Sequence, residues 1–281
     1  MTGNVFTVDV EEYFQVEAFS DVVRRRDWDA IPSRVEASTV RLLEMMEGAR
    51  VKGTFFVLGC LAEKHPGLVR RIARGGHEVA SHGFDHTMIT NMTPERFRED
   101  VRKTKRILED IAGMPVKGYR APTFSIVKNT AWAHAVLLQE GYSYSSSVFP
   151  VWHDRYGWPE FGERPRKAVS DGTDELWEVP LSVGFIGPWR VPFGGGGYLR
   201  VYPRFLTRKF LRDLDARGRP LIVYVHPWEI DPDQPAVPAP LLRRLRHRIG
   251  IPKTEERLKD LLGARAFGTV ARFLEANGHG R

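Results

Sequence analysis

The sequence has only one cysteine, Cys60, in 281 residues, so no disulfide can form within the chain. It contains no run of 18 apolar residues and so predicts no membrane-spanning helix. The N-terminus enters an apolar segment directly, without the basic flank and small-residue cleavage site of a signal peptide. These absences favour a reducing compartment, and we expect a cytoplasmic protein.

The charge balance is basic, with 42 Lys and Arg against 35 Asp and Glu and a net charge of +7. Part of the excess lies in residues 243–248, Arg-Arg-Leu-Arg-His-Arg. One interpretation of this segment is a solvated helical face. The other is attraction to an acidic glycan or to an anionic membrane, at its inner face. The sequence predicts no nucleic-acid partner, because aromatic residues do not interleave with the basic ones.

Short β-branched segments alternate with helical patterns, which is typical of βα units around a parallel sheet or barrel. Strands are predicted over residues 4–10, 53–58 and 78–81, and others end at Arg120, Ser146, Leu181 and Val225. A capping box of Ser33 and Glu36 predicts one helix start, and Thr93-Pro94 predicts another. Seven or eight such units in one chain favour a closed or nearly closed α/β barrel.

A histidine pair follows the third predicted strand, in the segment Ser81-His82-Gly83-Phe84-Asp85-His86. The first strand ends in two acidic residues, Asp9 and Glu11, which share a face if the strand continues. Two imidazoles and one carboxylate can bind a divalent metal, and the other carboxylate can act as a general base. Zn²⁺ suits this ligand set best, with Co²⁺, Mn²⁺ or Ni²⁺ as alternatives.

Two further predicted strand ends carry side chains that can take part in catalysis, an arginine and a histidine. Arg120 is followed by Ala121-Pro122-Thr123, and we expect its permanent charge to hold Asp9 ionised and oriented. His226 ends an apolar strand in the segment His226-Pro227-Trp228-Glu229. An imidazole there can donate a proton to a leaving amine, although a buried structural histidine is an equal alternative.

These motifs, in this order, resemble those of the polysaccharide deacetylases of carbohydrate esterase family 4, which carry the NodB homology domain. The motifs at Asp9-Val10-Glu11-Glu12-Tyr13-Phe14, Trp177-Glu178-Val179-Pro180, residues 192–198 and His226-Pro227-Trp228-Glu229 resemble the branch found beside exosortase-linked exopolysaccharide genes. The resemblance covers nearly the whole chain. It implies a single domain over residues 1–281, a distorted (β/α) barrel of about seven strands, with residues 230–281 as a C-terminal extension.

The resemblance also implies an activity, the metal-dependent removal of N-acetyl groups from the amino sugars of a glycan. Carried over by position, Asp9 is the base, His226 is the acid and Arg120 tethers the base. Glu11, His82 and His86 are then the metal ligands, and the backbone N–H of Thr123 completes an oxyanion hole. Sugar rings stack on aromatic side chains, so Trp228 and Tyr13 are predicted substrate contacts together with Pro122. For Tyr13, core packing is an equal alternative.

Departures from the family pattern leave alternatives open. Glu11 stands where many members have an aspartate, so Glu12 is a second candidate for the carboxylate ligand. Ser145 stands where relatives usually have an acid; if that acid tunes His226, its loss weakens the proton donor. The chain could therefore be a weakened glycan-binding protein. A related hydrolase acting on another amide, such as a cyclic one, is the further alternative.

Overall fold

The computed structural model describes residues 3–153 and 156–279. Its strands are β1 (Asn4–Val10), β2 (Thr54–Val57), β3 (Glu78–Ser81), β4 (Gly118–Tyr119), β5 (Tyr144–Ser145), β6 (Arg166–Asp171), β7 (Asp174–Glu178), β8 (Val183–Ile186), β9 (Trp189–Pro192), β10 (Ile222–Val225) and β11 (Phe267–Gly268). Its helices are α1 (Val35–Gly48), α2 (Gly59–Lys64), α3 (Pro66–Arg74), α4 (Pro94–Ala112), α5 (Ala133–Gln139), α6 (Gly196–Val201), α7 (Arg204–Ala216), α8 (Leu241–Arg248), α9 (Ile251–Ala264) and α10 (Val270–Ala276).

The main sheet follows the order β10-β1-β2-β3-β4-β5-β7-β6, and β11 also pairs with β1. The strands from β10 to β7 are parallel, and β6 runs antiparallel to β7 at the far end. The parallel run therefore contains the seven strands that the sequence predicts. Within the described residues, β10 and β6 are the two ends of this path, so backbone pairing does not close the barrel.

The two faces of β1 pack against different layers. Phe6, Val8 and Val10 lie in the larger apolar core, which includes residues of the surrounding helices. Val5 lies in a second core inside the curved sheet, and Thr7 and Asp9 follow it with period two. Asp9 therefore points to the inner side at the C-terminal edge of the sheet, where parallel α/β folds place their sites.

Several predicted elements have the observed bounds. β1 and β3 match the prediction, and α4 begins at Pro94 with the Thr93 hydroxyl accepting from the Arg96 N–H at 3.3 Å. The Ser33–Glu36 capping box is wrong. Glu12 of the segment after β1 accepts from the first N–H groups of α1 instead, at 3.0 Å from Arg34 N and 3.3 Å from Val35 N.

The last strand and helix, β11 and α10, lie at the opposite end of the sheet from the strand ends that carry the acidic pair. β11 pairs with the beginning of β1, at Asn4 and Val5. In α10, Val270, Phe273 and Leu274 complete the inner core. No helix in the described part of the chain combines the length and apolar character needed to cross a membrane.

Candidate metal centre

Three predicted ligands converge where β1 and β3 end. The Glu11, His82 and His86 side chains offer ligand atoms that all lie within 4.8 Å of one another. Nε2 of His86 is 2.8 Å from Oε2 of Glu11, and both side chains are buried. Because β1, β2 and β3 are parallel neighbours, their C-terminal ends bring residues distant in sequence to one edge.

The loop from β3 to His86 depends on left-handed backbone. Gly83 has φ 76°, and His86 itself has φ 61°, which is unusual for a residue with a side chain. Asp100 of α4 holds this loop by accepting from the Phe84 N–H at 3.1 Å. The loop thereby turns His86 back toward Glu11.

The state of His82 suits a metal ligand. Its Nδ1 lies 2.9 Å from the Arg120 carbonyl oxygen, so Nδ1 carries the proton and donates to it. Nε2 is then left with its lone pair toward the cluster. Burial lowers the pKa of His82 to about 4, against the opposing charge of Asp9, so the ring is neutral at pH 7.

The carboxylate of Glu11 indicates that a cation belongs here. Oε1 accepts from the Trp228 indole at 3.2 Å, whereas the buried Oε2 has only Nε2 of His86 beside it, at 2.8 Å, without the geometry of a hydrogen bond. Burial raises the pKa of Glu11, and the charges of His226 and His86 outweigh it and lower the pKa to about 2. An ionised, buried oxygen facing two imidazoles fits a divalent cation. Glu12 is not available, since its oxygens face the start of α1.

Asp9 lies beside this cluster and is held by Arg120, as the sequence predicts. Oδ1 of Asp9 accepts from Nη1 of Arg120 at 2.6 Å, and both side chains are almost fully buried. Arg120 also donates to the hydroxyl of Thr7 and, through Nε, to the carbonyl of Ser146 at 2.9 Å. These contacts fix the guanidinium, and Oδ2 of Asp9 faces His226 at 4.0 Å.

His226 is oriented by a residue that the sequence reasoning missed. Its Nδ1 lies 2.7 Å from Oε1 of Glu229, and Oε2 of Glu229 pairs with Nε of Arg200 at 2.7 Å. Burial raises the pKa of Glu229, but Arg200 and His226 outweigh it and lower the pKa. The signal in the sequence was the spacing His-Pro-Trp-Glu after a strand; nothing local indicated Arg200.

The charge state of His226 follows from these neighbours. Burial lowers its pKa, but the charges of Glu11, Glu229 and Asp9 together raise the pKa to about 9. At neutral pH the ring is therefore a cation with protons on both nitrogens. Nε2 faces the ligand cluster, 3.5 Å from Oε1 of Glu11.

Ser145 does not contact His226; its hydroxyl donates to the hydroxyl of Ser147 at 2.7 Å. Glu178 holds the same segment by accepting from the N–H of Ser147 at 2.7 Å and lies 3.0 Å from Nε2 of His134. The Ser147 hydroxyl in turn accepts from the Ala121 N–H at 2.9 Å. The Trp-Glu-Val-Pro motif therefore supports the loop that carries Arg120.

The structure places the predicted substrate contacts Tyr13, Pro122 and Trp228 where a sugar ring has little access to them. Tyr13 is 1% exposed and its hydroxyl donates to the Pro32 carbonyl, so its prediction as a substrate contact is wrong and core packing is the outcome. Pro122 is buried behind its loop and is not a lining residue of the cleft. Trp228 borders the cleft, but its ring stacks on His226 and on His247 at centroid distances of 5.1 and 4.3 Å. Its faces therefore contact other side chains of the protein in this structure, and its role as a substrate contact stays a prediction.

The site opens into a cleft of about 690 Å³. Thr123 lines it with a left-handed backbone, φ 53°, as does Phe124, φ 52°. Tyr156 also lines it and stacks on His153 at a centroid distance of 3.8 Å. Tyr156 lies outside the sequence motifs, so it was not among the predicted site residues.

Comparison with known families agrees with this geometry. Residues 27–143 match the family model described as polysaccharide deacetylase, and residues 146–275 match a model described as a domain of unknown function, DUF3473. Residues 27–143 therefore match a polysaccharide deacetylase domain, followed by DUF3473. The predicted resemblance to the polysaccharide deacetylases is confirmed for this part of the chain, and the exopolysaccharide-associated branch stays a prediction.

Curated relatives match part of the chain. A peptidoglycan-N-acetylglucosamine deacetylase of Bacillus cereus is 36% identical over 96 residues, covering 34% of this chain and 35% of that protein. A chitooligosaccharide deacetylase of Rhizobium leguminosarum is 37% identical over 70 residues, covering 25% of this chain and 33% of that protein. The alignments thus span about a third of these relatives.

Solved structures show the same fold over the whole chain. One described as a polysaccharide deacetylase from Mycobacterium smegmatis has a TM-score of 0.64 at 21% identity, covering 99% of this chain and 93% of that chain. The Bc1960 peptidoglycan N-acetylglucosamine deacetylase has a TM-score of 0.53 at 18% identity, covering 96% and 86%. The prediction of a distorted (β/α) barrel is confirmed.

Proposed function

We propose that this chain is a metal-dependent deacetylase that removes N-acetyl groups from the amino sugars of a glycan and releases acetate. One observation carries the proposal. A carboxylate oxygen of Asp9 and Nε2 of His226 face each other at 4.0 Å beside the three-ligand cluster. A base and an acid beside one cation site are the groups that metal-assisted amide hydrolysis needs.

A divalent cation bound by Glu11, His82 and His86 would supply a Lewis acid for the amide carbonyl and would lower the pKa of water. Zn²⁺ is the ion we propose, because two imidazoles and one carboxylate suit it, with Co²⁺, Mn²⁺ and Ni²⁺ as substitutes. In this mechanism Asp9 accepts a proton at Oδ2, while Arg120 holds Oδ1 at 2.6 Å. The arginine thereby keeps the base ionised and correctly turned.

His226 supplies the proton for the departing amine from Nε2, which faces the cluster. The carboxylates of Glu229 and Asp9 favour the charged form of the imidazole, so Nε2 can carry that proton. Glu229 accepts from Nδ1 at 2.7 Å and so fixes the plane of the ring. The presence of Glu229 removes the reason to expect a weakened acid from Ser145.

Thr123 is the proposed backbone donor to the oxyanion. It lines the cleft two residues after Ala121, whose N–H donates to the Ser147 hydroxyl. Pro122 has no N–H, so Thr123 offers the next one along this loop. A single donor of this kind contributes about 10²–10³ in rate where it has been removed.

We infer that the substrate is an N-acetylated polysaccharide or oligosaccharide. The curated relatives are named for peptidoglycan and for chito-oligosaccharide, and the C-terminal motifs resemble the exopolysaccharide-associated branch. Of these, an exopolysaccharide is the substrate we favour. Tyr156 also lines the cleft, but its ring stacks on His153 at 3.8 Å and on Phe149 at 5.8 Å, so it is no better placed than Trp228 to stack on a sugar.

Acetate release tests the proposal. Purified protein loaded with zinc is incubated with N-acetylated chito-oligosaccharides, peptidoglycan fragments and exopolysaccharide, and acetate is measured enzymatically. Release on at least one glycan supports the proposal. Ring opening of a cyclic ureide without acetate release supports the related amidohydrolase instead. Glycan binding with no release from any substrate supports the weakened binding protein.

A further inference from the structure

Helix α8 exposes an apolar face at the rim of the cleft. Leu241, Leu242, Leu245 and Ile249 are 63, 68, 58 and 52% exposed. At 100° per residue these four positions fall within an arc of about 100° on the helix surface, with Ile249 continuing the row just past its end. A continuous row of this kind differs from scattered surface leucines.

The opposite side of α8 is fixed to the protein. His247 stacks on Trp228 at a centroid distance of 4.3 Å and lies 2.9 Å from the amide oxygen of Gln234. Arg243 pairs with Asp21 at 2.5 Å. The helix is therefore held in one rotational setting, and the apolar row points outward.

Arginines flank the exposed row. By helix geometry, Arg246 follows one edge of the apolar arc and Arg248 precedes the other, and both are exposed. Among the residues that the structure describes, neither forms an ion pair. Arg248 donates one N–H to the Pro232 carbonyl at 2.9 Å and keeps its charge. An apolar strip between cations is the pattern of a helix that lies in a membrane interface.

We propose that α8 docks the protein on an anionic lipid bilayer, with the three leucines and Ile249 entering the headgroup region. The charges beside the apolar row favour a lipid bilayer over a second copy of the chain as the binding partner of α8. Phosphate headgroups attract Arg246 and Arg248, whereas a second copy of this chain would bring the same cations against each other. The net charge of +7 adds to the attraction.

Docking through α8 also places the cleft at the bilayer surface. Arg246 and His247 line the cleft, and they belong to the same helix as the docking face. A glycan anchored near the lipid would reach the site without leaving the membrane. This consequence rests on the proposed deacetylase function, whereas lipid binding does not.

Vesicle sedimentation tests the docking. Wild-type protein is mixed with vesicles of phosphatidylcholine containing phosphatidylglycerol, or of phosphatidylcholine alone, and the bound fraction is measured at increasing salt. We expect binding to the anionic vesicles only, weakening as salt rises. The variant Leu242→Ser/Leu245→Ser should bind the anionic vesicles at least about tenfold more weakly than the wild type. Arg248→Gln should show a smaller loss and a shallower salt dependence.

The matched control is Ile186→Ser, which removes an exposed apolar side chain on the β8–β9 hairpin, 49% exposed. It should bind vesicles like the wild type. Equal binding by Leu242→Ser/Leu245→Ser, or no binding by the wild type, would overturn the docking. So would leucine-dependent dimers in solution without vesicle binding. Acetate release from a soluble oligosaccharide should be unchanged in the leucine variant, which separates failed docking from failed chemistry.

Discussion

Two polar clusters meet at the floor of the cleft, and they differ in how completely the chain satisfies them. In the first, Glu11, His82 and His86 bring their ligand atoms together, and the buried Oε2 of Glu11 lies 2.8 Å from Nε2 of His86 without the geometry of a hydrogen bond. In the second, His226, Glu229 and Arg200 form an unbroken series of contacts at 2.7 Å. We call these the ligand cluster and the acid cluster. The first has the ligand set of a divalent-cation site, whereas the second is complete within the chain.

This difference follows from where each cluster originates. The ligand cluster comes from the ends of two parallel strands, so short motifs carry it. The acid cluster joins the end of β10 to α6, where Gly195 and Gly196 pack so closely on Tyr224 that an added Cβ would lie 1.9 and 2.8 Å from its atoms. That close packing seats α6, which carries Arg200 to Glu229.

Removing the two imidazoles should have the largest effect. His82→Ala/His86→Ala should lose stoichiometric zinc and all acetate release, because only Glu11 remains of the ligand cluster. Metal content is measured by mass spectrometry on the purified protein. His279→Ala, which removes a ring stacked on Trp177, is the matched control and should keep its zinc. Unchanged zinc in the double variant would contradict the ligand assignment.

Asp9→Asn should separate the base from the ligand cluster. Turnover should fall by about 10²–10⁴, because an amide cannot accept the proton. Zinc content should stay near the wild-type value, since Asp9 is assigned to Arg120 and not to the ion. The measurements are kcat for acetate release and metal content on the same sample. Loss of zinc together with activity would show that Asp9 is itself a ligand.

Glu229→Gln should damage the acid cluster alone. We expect kcat to fall by about 10–100-fold with KM and zinc content little changed, since groups that orient catalytic side chains typically contribute that much. Glu229→Asp, which keeps the charge on a shorter side chain, should recover part of the loss. An unchanged kcat in Glu229→Gln would show that His226 needs no carboxylate partner.

The acid cluster should also give the metal-free protein a pH-dependent stability. The pKa of His226 is raised in the fold to about 9, so its contribution is fully present below about pH 6.5 and is lost as pH rises through 9. The loss should be about 1–3 kcal/mol, measured by urea unfolding between pH 6 and 9.5. His226→Asn should flatten this slope. A wild-type slope equal to that of the variant would contradict the assigned charge state.

Tyr13→Phe should have the smallest effect. It removes a hydroxyl that donates to the Pro32 carbonyl at 3.3 Å, for a cost of about 1 kcal/mol or less. KM for a glycan should not change, because the ring is buried beneath the site. A clear rise in KM would restore Tyr13 as a substrate contact.

Much of the ligand cluster could be predicted from sequence, because strand periodicity and strand-end position are local properties. Asp9, Glu11 and the histidine pair follow β1 and β3, whose predicted bounds match the structure. Parallel pairing then brings them together without further information. The base tether Arg120 was predictable for the same reason.

The rest depended on long-range packing. The Glu36 side chain pairs with His65 rather than closing a capping box, because Glu12 already occupies the start of α1. Arg200 and Glu229 meet across 29 residues through the close packing of α6. Trp228 is covered by His247 of α8. The packing of α8 could not be predicted from an apolar core-facing side, because its leucines are exposed. Sequence patterns indicate which side of a helix or strand is apolar, but they do not specify which residues pack against that side.

Anomalous diffraction at the zinc edge tests the ligand cluster most directly. Crystals grown with zinc should show one strong peak at about 2.0–2.2 Å from Nε2 of His82, Nε2 of His86 and a carboxylate oxygen of Glu11. Asp9 and His226 should lie beside the peak without coordinating it. An absent peak, or a zinc ion held by Asp9 and His226 in place of this cluster, would contradict the account.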